Sequence, residues 1–165
     1  MRGVGMKSVV ICAISAVLAS CASTSGQSVH LSAEDKAVDL VMGSLTKDEA
    51  VDCSLTMTIV KKLQEGGVVS SNVESGYFSK SSRAFVTRMT NAVEKEEGLT
   101  GLLGIMSKEG EFLKTPFTTR LENEADLPAK TELLRSKFES CEPFSSKYLG
   151  NDHVQVNWSN AKASI

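Results

Sequence analysis

Hydrolytic chemistry with a serine nucleophile needs an imidazole base oriented by a third group, and this sequence offers two histidines, His30 and His153. The first follows a stretch of small polar residues and the second lies near the C-terminus, so both read as ordinary polar side chains. The other serine route, Ser-x-x-Lys, occurs at Ser44–Lys47 and Ser159–Lys162. With 22 serines and 13 lysines in 165 residues, two such pairs are the chance expectation, and the companion motifs of that enzyme class are missing.

Carboxylates cluster at Asp48/Glu49/Asp52, Glu94/Glu96/Glu97 and Glu122/Glu124. A glycosidase needs two acids across a cleft in different environments. These acids instead fall at helix starts, where they favour the dipole, or on charged faces, so they are expected at a solvated surface. The run Gly98-Leu99-Thr100-Gly101-Leu102-Leu103-Gly104 is glycine-rich but lacks the lysine and the preceding strand of a phosphate loop. It reads as a turn into a closely packed helix. Zinc, calcium and haem motifs are missing, so no cofactor is expected.

Charge narrows the partners. Residues 22–165 carry 20 acids against 16 Lys and Arg, a net charge of −4. A general nucleic-acid binder needs clustered Lys and Arg to release counterions. The densest basic group, Lys80, Arg83 and Arg88, is interrupted by neutral residues and reads as a solvated helix face. No nucleic-acid partner is expected.

The N-terminus has the layout of an address. Arg2 and Lys7 precede an apolar run of about eleven residues, Ser8–Leu18, long enough for the core of a signal peptide and too short to span a bilayer. Leu18-Ala19-Ser20-Cys21 follows directly. This arrangement resembles the lipobox of bacterial lipoproteins. The resemblance covers residues 1–21 and implies removal of residues 1–20 and lipidation of Cys21, typically with palmitate among the acyl chains. Two or three acyl chains hold a protein on a membrane stably where one does so marginally. By the sorting tendency of that family, Ala22 after the cysteine implies the outer membrane, facing the periplasm. The alternative is an ordinary secretory signal cleaved near Ala19 or Ala22. Residues 21–31 would then be the lipidated cysteine and a flexible tether.

With Cys12 in the discarded segment and Cys21 as the lipid site, Cys53 and Cys141 remain in an oxidising compartment. They are expected to form one disulfide. Such a bond closes a loop of about 89 residues and contributes on the order of 4–5 kcal/mol in the chain-entropy account.

The elements that would position these residues are helical. Ser32 with Asp35, and Thr46 with Glu49, begin helices with capping signatures. After the second, Val51, Leu55, Ile59 and Leu63 recur every four residues, with Cys53, Met57 and Val60 alongside, up to Gly66-Gly67. Asn72 is expected to start a third helix carrying Phe78, Phe85, Met89 and Ala92, closed by Gly98. Thr100 is expected to cap a fourth, with Leu102, Leu103 and Met106 inside. Pro116 opens a short helix to about Glu124. Asp126-Leu127-Pro128 opens the last, which turns Leu133, Leu134 and Phe138 inward and which Pro143 is expected to stop. The fold class is therefore all-α: a bundle of five or six amphipathic helices over 32–142, with a disulfide and an irregular tail at 143–165.

Within that tail His153–Trp158 alternates, placing Val154, Val156 and Trp158 on one side. Three readings stand: an arm whose Trp158 covers a core edge, a short strand pair with Val68-Val69, or a peptide in which these residues add to a partner's sheet. For the whole chain the expected function is a membrane-anchored envelope lipoprotein, acting as a non-enzymatic interaction or structural module with an envelope protein as partner. The alternative is a periplasmic binder of a small apolar ligand between helices, suggested by Met42, Met57, Met89 and Met106.

Overall fold

The structure, a computed structural model, describes residues 32–107 and 110–161. The signal segment, Cys21 and the tether lie outside the described residues, as do the side chains of Leu102 and Met106. Among the described residues the chain forms five α-helices, a short 3-10 turn at Glu111–Leu113 and one two-residue strand pair. The all-α bundle with a single staple is what the patterning predicts. No described helix is long and apolar enough to cross a membrane.

Helix α1 (Ala33–Met42) begins at Ser32, whose hydroxyl accepts from the N–H of Asp35 while the Asp35 carboxylate accepts from the N–H of Ser32. Helix α2 (Lys47–Glu65) begins the same way at Thr46 and Glu49. Each box satisfies N–H groups that a helix start leaves without partners. Ala50 through Met57 are all buried in α2, polar residues included, which makes it the central helix.

Helix α3 (Ser75–Ser107) runs antiparallel to α2. Lys47 meets Glu97 at one end, Ser54 and Thr58 bond Ser82 midway, and Gln64 donates to the Val73 carbonyl at the other. The expected third and fourth helices form one element bent at Gly98, whose φ of 64° and ψ of −162° suit glycine and almost no other residue. Its start corrects the expectation for Asn72, which stands three residues outside the helix and is occupied elsewhere.

Helix α4 (Pro116–Asn123) is capped by Thr115, and α5 (Leu127–Leu149) by Asp126. Pro143 does not stop α5, so the boundary expected at 142 moves to 149. A proline removes one i→i−4 bond, here to the Glu139 carbonyl. Glu139 and Pro143 both lie on the solvent side, where water can serve that carbonyl. The helix ends instead at Gly150, in the left-handed conformation (φ 66°, ψ 29°).

The core lies where α2, α3 and α5 meet. Phe78, Phe138 and Trp158 form a chain of edge-to-face rings with centroids 6.2 Å apart at each step. Cys53 and Cys141 are disulfide-bonded beside them, with Cα atoms 5.5 Å apart, stapling α5 to α2. The residues after Gly150 turn back across this core. Val156–Asn157 (β2) pairs antiparallel with Ser70–Ser71 (β1), two residues beyond the Val68-Val69 partner expected.

Candidate functional site

The returning arm is fastened by two residues that the sequence does not advertise. Glu142, on α5 and 4% exposed, accepts from the Val154 N–H at 2.8 Å and from the Ser146 hydroxyl at 2.6 Å through Oε1. Its Oε2 lies 3.2 Å from His153 Nδ1. Asn72 holds the arm from the other side: its Oδ1 accepts from the Gln155 N–H, its Nδ2 donates to the His153 carbonyl, and its own N–H reaches the Gln155 carbonyl.

Burial opposes ionisation of Glu142, but the Ser146 hydroxyl, the Val154 N–H and the His153 imidazole outweigh it and hold the carboxyl below the usual glutamate range. Behind Ser146 the network continues inward. Tyr77 bonds Ser145 and Ser146 at 2.6 and 3.1 Å, and Ser81 bonds Ser145 at 3.0 Å, joining α3 to α5 with hydroxyls.

Serine, carboxylate and histidine are thus together, but in an order that does not make a hydrolase. A triad places the imidazole between the hydroxyl and the acid so that the base faces the nucleophile. Here Glu142 stands between, and Ser146 gives its proton to a carboxylate in the interior. The arrangement fastens chain segments; it does not activate a nucleophile.

The arm's own side chains follow the first of the three readings, an arm whose Trp158 covers the core. Val154 and Trp158 are buried, Val156 is half-buried, and Ala161 closes the end. As packed here, Trp158 and Val154 are core residues of this chain and are not displayed to an outside partner.

Two other polar sites depart from the solvated surface expected. Asp52, on α2, accepts from the Thr115 hydroxyl and pairs with Lys137 Nζ at 3.2 Å, while Lys137 also stands 4.9 Å from the centre of the Phe117 ring. Arg88 is 9% exposed rather than solvated. Its guanidinium donates to the carbonyls of Gly43 and Leu45 and lies 3.5 Å from Asp39. Lys80 and Arg83 are exposed, as expected. The seven-residue periodicity that puts Arg88 on the side of Ser81 was the available signal.

Met42, Met57 and Met89 are plain core. The apolar cavity lined by Val51, Leu55, Val86, Met89 and Leu113 has about 10 Å³, room for one water and not for a ligand. A wider groove between the start of α2 and the bent end of α3 is edged by Lys47, Glu97 and Glu111, charged groups unsuited to an apolar ligand. Among the described residues, His, Cys, Asp and Glu form no cluster able to hold a metal ion. The chain matches no protein-family model, no curated protein and no solved structure.

Proposed function

We propose that this protein is a lipoprotein of a bacterial cell envelope, anchored through Cys21 and facing the periplasm from the outer membrane. Its helical domain serves as a structural or protein-interaction module for an envelope partner. The reading rests on Leu18-Ala19-Ser20-Cys21 directly after an apolar run headed by Arg2 and Lys7. The Cys53–Cys141 bond supports it, because disulfides persist in oxidising compartments such as the periplasm. The buried polar groups also fit a structural module, since they tie chain segments together.

Labelling cells with radioactive palmitate tests the anchor. The expected outcome is label in the wild type, none in Cys21→Ala, and loss of the variant from the membrane fraction. Equal membrane recovery and equal acyl mass in both would refute it.

A further inference from the structure

We propose that residues 150–161 form a strap that acid releases, with the Glu142 carboxylate as its clasp and the helical bundle staying folded beneath. This goes beyond the envelope reading and does not depend on it.

The first observation is how the clasp is saturated. Ser146 Oγ and the Val154 N–H both donate to Glu142 Oε1, and His153 Nδ1 faces Oε2. A proton added to this carboxyl needs an acceptor. The Val154 N–H is a donor only, and an imidazolium has no lone pair to offer. Ser146 Oγ is engaged by the Tyr77 hydroxyl as well. Protonation therefore sets donor against donor in a site with almost no water access, where an unmade hydrogen bond is costly.

The second is the layout of the strap. It begins at the left-handed Gly150, where α5 has ended, and detaching it breaks no helix–helix contact among α1, α2, α3 and α5. Besides Glu142 it is held by Asn72, by the two-residue β1–β2 pair, and by Val154, Trp158 and Ala161 in the core. Segments with few ties open locally before the whole domain does. The bundle below keeps its covalent staple and its hydroxyl bonds from α3 to α5 through Tyr77 and Ser81.

Charged and titratable groups around the clasp decide the sign. From the strap, His153 is paired with Glu142; from α3, the Tyr77 hydroxyl reaches it through Ser146; α5 contributes Ser146 itself. Ser146, the Val154 N–H and His153 favour the ionised carboxylate, so the strap is shut at neutral pH. It opens as pH falls below the ordinary glutamate value of 4.5.

Trp158 is the single tryptophan of the chain, so its emission reports the strap alone. The test follows Trp158 fluorescence, the exchange of the Val154 and Gln155 amides and helical circular dichroism from pH 7 to pH 3 on the full chain as the cell processes it. The proposal expects a red shift, and protection of both amides falling about tenfold or more, the equilibrium weight of a hydrogen bond to a charged acceptor, at a pH where helicity is intact. In Glu142→Gln the strap is already open at pH 7 with the helices retained. Ser146→Ala removes one donor to the carboxylate and moves release to higher pH, which decides the matter should Glu142→Gln fail to fold. Loss of Trp158 burial and helicity in one transition, or a release midpoint unmoved in Ser146→Ala, would overturn the proposal.

Discussion

Arg88 Nη2 donates to the carbonyl of Leu45 at 2.6 Å, across 43 residues of sequence, and Nε donates to the same oxygen at 3.0 Å. Helix α1 ends at Met42, and Arg88 Nη2 also donates to the carbonyl of the next residue, Gly43, at 3.0 Å. An arginine from α3 thus serves the turn that follows α1. The α1–α2 turn is thereby tied to a helix that it does not adjoin in sequence.

Replacing Arg88 by methionine keeps much of the buried stem and leaves the Gly43 and Leu45 carbonyls unserved. The expected loss is about 2–4 kcal/mol of unfolding free energy, read from urea denaturation. A loss within the scatter of surface substitutions would show that water replaces the guanidinium there.

Thr56 offers the opposite case. It is fully buried on α2, and its hydroxyl has no hydrogen-bond partner among the described residues. Thr56→Val exchanges that hydroxyl for a methyl of similar size and is expected to stabilise the domain by about 1–2 kcal/mol. A lowered melting temperature would mean the hydroxyl is served.

The Asp52–Lys137 pair joins α2 to α5 beside the disulfide, with Asp52 buried and Lys137 partly open to solvent. Lys137→Met strands a buried carboxylate and is expected to cost about 3 kcal/mol, whereas Asp52→Leu combined with Lys137→Met recovers most of that loss. A double-mutant cycle measures the coupling; additive losses would show that the two charges do not interact.

Acid sensitivity also has a second source at the start of α2. The Thr46 N–H and then its hydroxyl hold the Glu49 carboxyl below 4.5, against the cost of burial and with a small contribution from Lys137. A carboxyl depressed by folding stabilises the fold fully above its unfolded value, and that stability disappears as pH falls through the folded one. Thr46→Ala is therefore expected to cost about 1 kcal/mol at pH 7 and to move the Glu49 titration, followed by carbon-detected NMR, upward. A Glu49 titration that does not move would break the link between the cap and the acid limb.

Replacing both Cys53 and Cys141 by alanine removes the staple between α2 and α5. The expected cost is about 3–5 kcal/mol of unfolding free energy, read from urea denaturation, with the helical spectrum of the folded state unchanged. Loss of helicity in native buffer would show that the remaining core cannot hold α5 in place.

The helices were legible because their signals are local. The Ser32/Asp35 and Thr46/Glu49 boxes and Asp126 before Pro128 each act within one turn, and each starts a helix in the structure. The four-residue recurrence from Val51 to Leu63 marked α2 for the same reason. The disulfide was reached by elimination among four cysteines.

The readings that failed are ones that depend on a distant partner. Asn72 has the composition of a helix cap, but the Gln155 backbone, 83 residues away, claims its side chain. Pro143 is a helix breaker by type, and whether it breaks α5 depends on which face of the helix meets water. Glu142, Asp52 and Arg88 look like surface charges, since nothing beside them in sequence announces a buried partner. For Val154 and Trp158 the alternation left three readings open, and burial in this chain's own core chose the docked arm among them.

The sequence alone therefore determined the helical class and the capped helix starts at Ser32, Thr46 and Asp126, because capping and periodicity are written within a few consecutive residues, and it left Cys53 to pair with Cys141. Only the tertiary structure decided which charges are buried and where residues 150–161 go. Burial and long-range hydrogen bonds are properties of the surfaces brought together, and no window of the chain contains both sides of them.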